Sequence, residues 1–315
     1  MEIKKATTDD AERLSALIKA ENNQIISAQF LKDWYWHNPF ESSSVIMCLK
    51  GDDLVGMAST NNFKIQMSER EVLVAFPQKV LTSKGIRGQG YFSKLYFENE
   101  KDNLETQKVD FFLTFTNAMS TPIFLKKFDY YTGICPDTVV LPTLSFFLIG
   151  KRANMKVASG FDQDYLESGA YHQSPNGVKK SRDFLNWRYS IKPNASSYPY
   201  IIIEVNRSNE IMGYAVVKKM IKKGIPMLIL ADLVTHRKEH VADIIRQTAY
   251  YGLTRGCLAL TLMSNDLVRP ALDKIKVKLV KSNALNFLVK GTSKESSESL
   301  AMTHFNFTFG DLDFV

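Results

Sequence analysis

The stretch from Lys79 to Leu95, KVLTSKGIRGQGYFSKL, holds residues whose types and spacing suit a definite chemistry. A short apolar run, Val80 and Leu81, leads into Arg87-Gly88-Gln89-Gly90, and an apolar, helix-compatible stretch follows from Tyr91. A strand that turns through closely spaced glycines into a helix is a phosphate-binding device. Without side chains the backbone N–H groups can approach an anion, and the helix N-terminus adds partial positive charge. The alternative is a plain turn and helix start, since glycine is common punctuation. A comparable strand-to-helix stretch, Asp232 to Ile245 (DLVTHRKEHVADII), contains no glycine. With a β-carbon at every position its backbone is expected to be kept from an anion.

Other residues that can do chemistry lie apart from this loop. His37 follows Trp34, Tyr35 and Trp36, and is either a site residue or part of an aromatic cluster; Glu41 lies close by. Asp232 interrupts the apolar run LILADLV, as a pocket carboxylate or as a strand-end residue in solvent. His236 follows it. Asn117 and Ser120 either bind a ligand or cap the helix that begins beside Pro122. Trp187-Arg188-Tyr189 reads as an amphipathic helix face. Asp311 and Asp313 alternate on a terminal strand-like run, where they would either meet a cationic amine or form an exposed tail.

The elements that must position these residues recur along the chain. TTDDAERLSALIKA reads as a helix capped by Thr8 or Asp9, with Leu14, Leu17 and Ile18 as its apolar stripe. SSVIMCLKGDDLVGMAS reads as a hairpin turning at Gly51-Asp52-Asp53. EVLVAFPQKVLT is a strand feeding the glycine loop, VDFFLTFTN a buried strand and STPIFLKKF a short helix. In the second half, 200–220 reads as a hairpin, 226–235 as a strand, 239–256 as a helix ending at Gly256, and 257–264 as a strand. Four phrases repeat in order. Phe30, Leu31, Tyr35 and Pro39 match Phe184, Leu185, Tyr189 and Pro193. DLVGMAS (53–59) matches EIMGYAV (210–216), residues 113–128 match 260–275, and LSFFLIG (144–150) matches LNFLVKG (285–291). Such an order points to an internal duplication with a junction near 151–180.

The 315 residues suffice for about two domains at roughly 150 residues each. No run approaches the ~20 apolar residues of a membrane span, and MEIKKATTDD lacks the apolar core of a signal peptide. The scattered Cys48, Cys135 and Cys257 argue against a disulfide framework and a zinc site, and suit a cytoplasmic location. The net charge of +7 divides into −2 for residues 1–150 and +9 for 151–315. A basic second half suits an anionic partner (a nucleotide, a phosphorylated substrate or a membrane surface) or is a solvated lysine-rich surface. Its lysines are dispersed, which does not suit specific nucleic-acid binding.

The strand, the R-G-x-G loop and the following helix, with Leu95 a turn later, resemble the acetyl-CoA pyrophosphate loop of the GNAT acyltransferase superfamily. The order of features around the loop is similar to a GNAT domain, from IKKATTDDAERL to Asn117 and FLKKFDYY. The phrases FLKDWYWHNP, FLNWRYSIKP and HFNFTFGDLDFV resemble two-repeat members from bacterial surface-polysaccharide gene clusters. The resemblance implies an α/β (α+β) fold of two tandem GNAT-like domains, 1–150 and 151–315. Each would have a mixed, mostly antiparallel sheet flanked by helices, and splayed parallel strands would hold acyl-CoA in the first. It implies that Leu81 and Thr82 hold the thioester arm, that Arg87, Gly88, Gln89, Gly90 and Tyr91 cradle the pyrophosphate, and that Asn117 and Ser120 border the cofactor. The second domain would shape the substrate pocket or support the first.

The family's usual acid and base are not visible, because Gln78 stands where a carboxylate is common and Phe124 where a tyrosine is. The family's helix-ending glycine aligns with Asp129. Asn117, Asp232 and Tyr130 are the expected catalytic candidates, with Tyr131 beside the last. The implied activity is acetyl-CoA-dependent acylation, without metal, of the amine of a small molecule. The expected acceptor is an amino sugar or nucleotide-linked amino sugar, taken up by direct attack, in a protein that could act as a homodimer. The competing expectations are a non-catalytic acyl-CoA binder, an N-acyltransferase for an amino acid, peptide or drug amine, and one for longer acyl chains with Phe76, Phe112, Phe115 and Phe124 lining the slot.

Overall fold

The computed structural model describes all residues except 41–42, 68–69, 147–152, 169–173, 191–198, 209, 276–279, 283–285 and 313–315. The chain opens with β1 (Glu2–Lys5) and a tight helical turn leading into α1 (Ala11–Asn22). Thr7, rather than Thr8 or Asp9, closes this start, its amide donating to the Asp10 carboxylate at 2.9 Å. Leu14, Leu17 and Ile18 are buried as their spacing demands. α2 (Ala28–Leu31) runs into a π-helical turn, Lys32–Trp36. A meander follows: β2 (Ser43–Lys50), β3 (Asp53–Met67) and β4 (Arg70–Thr82), with Gly51 left-handed at the first turn. Then come α3 (Tyr91–Glu105), β5 (Phe111–Thr116), α4 (Thr121–Lys127) and β6 (Tyr131–Thr132).

The remaining elements are β7 (Asp137–Pro142), β8 (Asn154–Ala158), α5 (Gln163–Glu167), β9 (Gly177–Val178) and α6 (Arg182–Ser190). They continue as β10 (Tyr200–Arg207), β11 (Glu210–Lys222), β12 (Ile225–Val234), α7 (Val241–Thr254), β13 (Ala259–Ser264), α8 (Arg269–Ile275), β14 (Val280–Ser282), β15 (Asn286–Lys290) and α9 (Lys294–Ala301). One sheet has the order β1-β2-β3-β4-β5-β15-β6 and the other β14-β7-β13-β12-β11-β10-β8. Both are mixed and mostly antiparallel, β4–β5 being a parallel pair in the first and β12–β13 in the second.

The two compact units do not follow a single cut near residue 150. Among the described residues, Met1–Ile134 and Leu285–Thr303 form the first unit, while Cys135–Ser190, Tyr198–Ala284 and His304–Val315 form the second. The reason is pairing. β15 lies antiparallel to β5, although it comes late in the chain, and β7 lies antiparallel to β13, although it comes early. The strand that takes the place of β15 in the second sheet is therefore β7. The stretch from 144 does not take it: its described residues 144–146 lie in a tight helical turn.

Two glycines show why the helices seat so closely on the sheets. A β-carbon on Gly56 of β3 would stand 2.7 Å from Leu95 Cδ1 of α3. One on Gly213 of β11 would stand 2.8 Å from Ile244 Cδ1 of α7. In the first unit Tyr96, Phe112, Phe124, Phe128 and Leu288 pack one sheet face. In the second, Leu228, Leu260, Ile244 and Ile245 lie at the centre of the core.

Candidate active site

The first sheet opens at its parallel pair. β4 and β5 are in register only at Val74–Phe111 and Ala75–Phe112. Just beyond, the Thr114 hydroxyl donates to the Pro77 carbonyl at 3.1 Å, marking the vertex. Gln78 is then a bulge, because Ser59 pairs with Lys79 and Thr60 with Pro77. A bulge bends its strand and ends local pairing. From there β4 stays with β3 while β5 continues beside β15, so one edge of β4 is left open.

Register decides which backbone groups face that opening. The Ser83 amide donates to the Val55 carbonyl at 2.8 Å, and the Leu81 carbonyl points toward β3, 3.2 Å from a β-carbon built on Gly56. By the alternation of an antiparallel ladder, the N–H and C=O of Leu81 are spent on β3, while those of Val80 and Thr82 face the opening. This corrects the expectation for Leu81 and bears on Val80, which pattern alone did not single out.

The loop that follows is built as a cradle. Gly88 and Gly90 are left-handed, with φ of +77° and +82°, and a β-carbon on either would meet nothing within 4 Å. The amides of Gly88, Gly90 and Tyr91 have no partner among the described residues. They lie at the N-terminus of the 15-residue α3, where an anion is favoured. An open space that a side chain would fill, beside unspent N–H groups, fits a phosphate. Gln89 holds the turn by donating to the Gly85 carbonyl at 3.1 Å. The Arg87 guanidinium donates to the Thr82 carbonyl at 3.1 Å and to Glu21 of α1 at 2.6 Å, so a carboxylate already engages it.

The other expected residues are placed less simply. The Asn117 side-chain oxygen Oδ1 accepts from the backbone amides of Met119 and Ser120 at 3.0 and 2.9 Å, and the Ser120 hydroxyl accepts from the Asn117 backbone amide at 3.2 Å. The pair is a turn that starts α4, exposed at Asn117, at the end of β5. Tyr130 is corrected: it is 3 % exposed among Tyr96, Phe124 and Phe128, and its oxygen accepts from the Tyr96 hydroxyl at 2.8 Å. Burial pushes both phenols well above the ordinary tyrosine range, so neither is a ready proton donor. Phe112 and Phe124 belong to the same core, Phe76 is buried against Phe63, and the half-buried Phe115 packs on Phe287.

Gln78 accepts a hydrogen bond from the Trp34 indole N–H at 2.6 Å. That contact joins the π-helical turn to the bulge and was not legible in the sequence. His37 is exposed and bonded to Asp33 at 3.0 Å; Glu41 lies outside the described residues. Asp129, aligned with a family glycine, has φ of +56° just past α4, where glycine is strain-free. Asp129→Gly is expected to raise stability by about 0.5–1 kcal/mol, measured by urea unfolding.

The second unit repeats the opening but not the cradle. β12 and β13 are in register from Met227–Ala259 to Ile229–Thr261, and Ala231 is a bulge between Leu230 and Asp232. After β12, residues 235–241 contain no left-handed residue, so the backbone offers no anion cradle there. The chain's own Phe309–Asp311 turn fills the region instead: Gly310 lies against the Tyr189 hydroxyl, and a β-carbon on it would stand 3.1 Å from the Ala231 carbonyl. Asp232 is 2 % exposed, accepting from Tyr189 at 2.7 Å and pairing with Lys180 at 2.9 Å.

Lys180 also pairs with Asp311, which is buried rather than part of an exposed tail. Arg188 of α6 is buried and donates to the Gly310 carbonyl at 2.7 Å and the Leu312 carbonyl at 2.9 Å. Asp313 lies outside the described residues. His236 packs edge-on to Tyr165 at 4.0 Å and bonds Ser168. Asp232, His236 and Asp311 are thereby occupied within the second unit. No group of three or more metal-ligating side chains occurs among the described residues, and no helix there is long and apolar enough to cross a membrane.

Residues 2–132 match the family model of the acetyltransferase (GNAT) domain. No curated protein matches the chain in sequence. Solved structures share the fold along nearly the whole chain. One is a conserved protein of unknown function from Enterococcus faecalis V583, described as a probable N-acyltransferase. It is 14% identical with a TM-score of 0.68, over 92% of this chain and 72% of that one. A GCN5-related N-acetyltransferase from Anabaena variabilis is 12% identical with a TM-score of 0.69, over 96% and 75%. The N-myristoyltransferase of Saccharomyces cerevisiae with bound myristoyl-CoA is 9% identical with a TM-score of 0.58, over 92% and 82%. The family match assigns residues 2–132 to an acetyltransferase (GNAT) domain, and the solved structures share the fold.

Proposed function

We propose that the protein is an acyl-CoA-dependent N-acyltransferase whose first unit holds acetyl-CoA and whose acceptor is the amine of a small molecule. The observation that carries this reading is the parting of β4 from β5 directly before a left-handed glycine cradle at the start of α3. The amides of Gly88, Gly90 and Tyr91 would bind the pyrophosphate. The turned-out backbone of Val80 and the N–H of Thr82, whose carbonyl is held by Arg87, would receive the donor's arm, and Asn117 would border it from β5. The donor supplies an activated thioester. The amine would attack it directly, because the loop has no cysteine to form a covalent enzyme intermediate.

Gln78 cannot take a proton, so the proton of the attacking amine would leave through water. Its amide, held by Trp34, would orient the acceptor by hydrogen bonding. The acceptor class that suits the resemblance is an amino sugar, free or nucleotide-linked. The basic 151–315 half suits a phosphorylated acceptor. The two-domain reading is supported by the matching phrases, by a bulge at Gln78 in one sheet and Ala231 in the other, and by the paired glycines 56 and 213. The second unit, with its opening filled by its own chain, would support rather than bind the donor. A second reading, a non-catalytic acyl-CoA binder, is favoured by Gln78 and by the burial of Phe124 and Tyr130.

Calorimetric titration of acetyl-CoA, followed by a thiol-release assay over a panel of amines, tests both. The expected result is binding at one site per chain and acceptor-dependent release of free CoA for an amino sugar. Binding without release for any amine would favour the second reading. No binding by the folded protein would remove both.

A further inference from the structure

The second unit carries an apolar ledge ringed by cations that the proposed activity does not use. Ile221 at 57 %, Leu258 at 58 %, Leu144 at 70 % and Ile225 at 47 % exposure are large aliphatic side chains left in solvent. They are neighbours. Ile221 pairs with Pro226 and Lys222 with Ile225 at the tip of the β11–β12 hairpin. The Leu258 amide donates to the Pro226 carbonyl at 2.8 Å, and the Thr143 amide donates to the Leu258 carbonyl at 3.0 Å. Because partners in register share a face, Ile221, Pro226 and Leu258 lie side by side on the face that α7 covers further along, beyond the helix's end at Thr254.

Lys219, Lys222, Lys223 and Arg255 surround this ledge, and none has a carboxylate partner among the described residues. Residues 218–230, 251–263 and 138–146 contain no Asp or Glu. Exposed aliphatics in a ring of one charge sign mark an interaction surface. The charge selects the occupant. A second copy of the chain would bring the same cations against these. A single-stranded nucleic acid would want aromatic stacking platforms, and a duplex held through its phosphates would leave the aliphatic side chains without an apolar partner.

We propose that this ledge docks the protein on a bilayer surface bearing anionic headgroups. Ile221, Leu258 and Leu144 enter the headgroup–acyl boundary, while Ile225 faces the other side of the hairpin tip, and the lysine stems lie along the apolar surface with their ammonium groups at the phosphates. The proposal is independent of the acyltransferase reading, since no residue of the cradle takes part.

Co-sedimentation of the full chain with vesicles tests it, using phosphatidylcholine alone and phosphatidylcholine mixed equally with phosphatidylglycerol. The expected result is binding to the mixed vesicles, none to phosphatidylcholine alone, and loss at high salt. Lys222→Glu with Lys223→Glu should weaken partitioning by roughly tenfold or more, and Ile221→Ser with Leu258→Ser should weaken it comparably. Both pairs are exposed, so an unchanged thermal midpoint verifies folding. Absence of binding by the folded wild-type protein would overturn the proposal. So would binding that the serine pair leaves unchanged and that poly-glutamate beads reproduce, because the surface would then be merely cationic.

Discussion

Gly88→Trp is expected to weaken acetyl-CoA binding by at least about 100-fold in calorimetric titration, with the fold retained. A charge-assisted hydrogen bond is worth about 1.5–3 kcal/mol, so losing two N–H contacts to a phosphate corresponds to roughly this factor or more. The β-carbon of residue 88 points into open space, so the substitution does not clash with the protein. It places an indole where the anion would sit. The left-handed backbone at φ +77° adds strain of about 1–2 kcal/mol for any side chain. Gly224→Trp controls for this: that glycine has φ of +79°, equally open surroundings, and a place in the second unit. Equal loss of affinity in both variants, or none in Gly88→Trp, would remove the cradle from the binding site.

The second large effect concerns stability. Lys180→Met is expected to cost about 3–5 kcal/mol, because it leaves Asp232 and Asp311 buried without their cation. The pH dependence has a definite sign. Burial pulls the Lys180 ammonium down, but Asp232 and Asp311 outweigh it and hold it above the ordinary lysine range. Its contribution is therefore fully present below the unfolded lysine value and is lost as pH rises through the folded one.

Burial pushes the Asp311 carboxyl up, and Lys180 opposes that push. Ionising Asp311 thus costs stability as pH rises through its raised value, and more so once Lys180 is gone. The deficit of Lys180→Met should be larger near pH 7 than near pH 4, in urea unfolding of wild type and variant at both. Adding Asp311→Asn should recover part of the loss near pH 7. A deficit equal at both pH values and unrelieved by the asparagine would mean that packing, not charge, holds the C-terminal turn.

These two effects differ in how far a sequence can foresee them. Gly88 and Gly90 announce themselves because a left-handed backbone is a local property that few other residues accept. Asp129 was legible in the same way, as the residue standing where the family has glycine. The strand and helix patterns of 43–127 and 200–264 were equally local, and the structure keeps them with shifts of one or two residues at most ends, except that β3 runs on to Met67, eight residues past the hairpin read from the sequence. Lys180 gave no such signal: one lysine among several dispersed ones, it acquires a role only when residues more than 50 and 130 positions away fold over it. The Trp34–Gln78 bond joins residues 44 apart in the chain, and neither neighbourhood foretells it.

By itself, the sequence determined the glycine cradle, the apolar runs of β2, β4, β5, β12 and β13, the apolar stripe of α1, and the absence of a second cradle after β12. All are set by side-chain sterics and hydrophobic period over a few residues. Only the tertiary structure decided that β15 completes the first sheet and β7 the second, that Leu81 is spent on β3 while Val80 and Thr82 face the opening, and that Tyr130 and Asp311 are buried. Strand order and register are fixed by pairing between distant segments. Whether a polar residue is a site or a core member depends on what those segments bring against it.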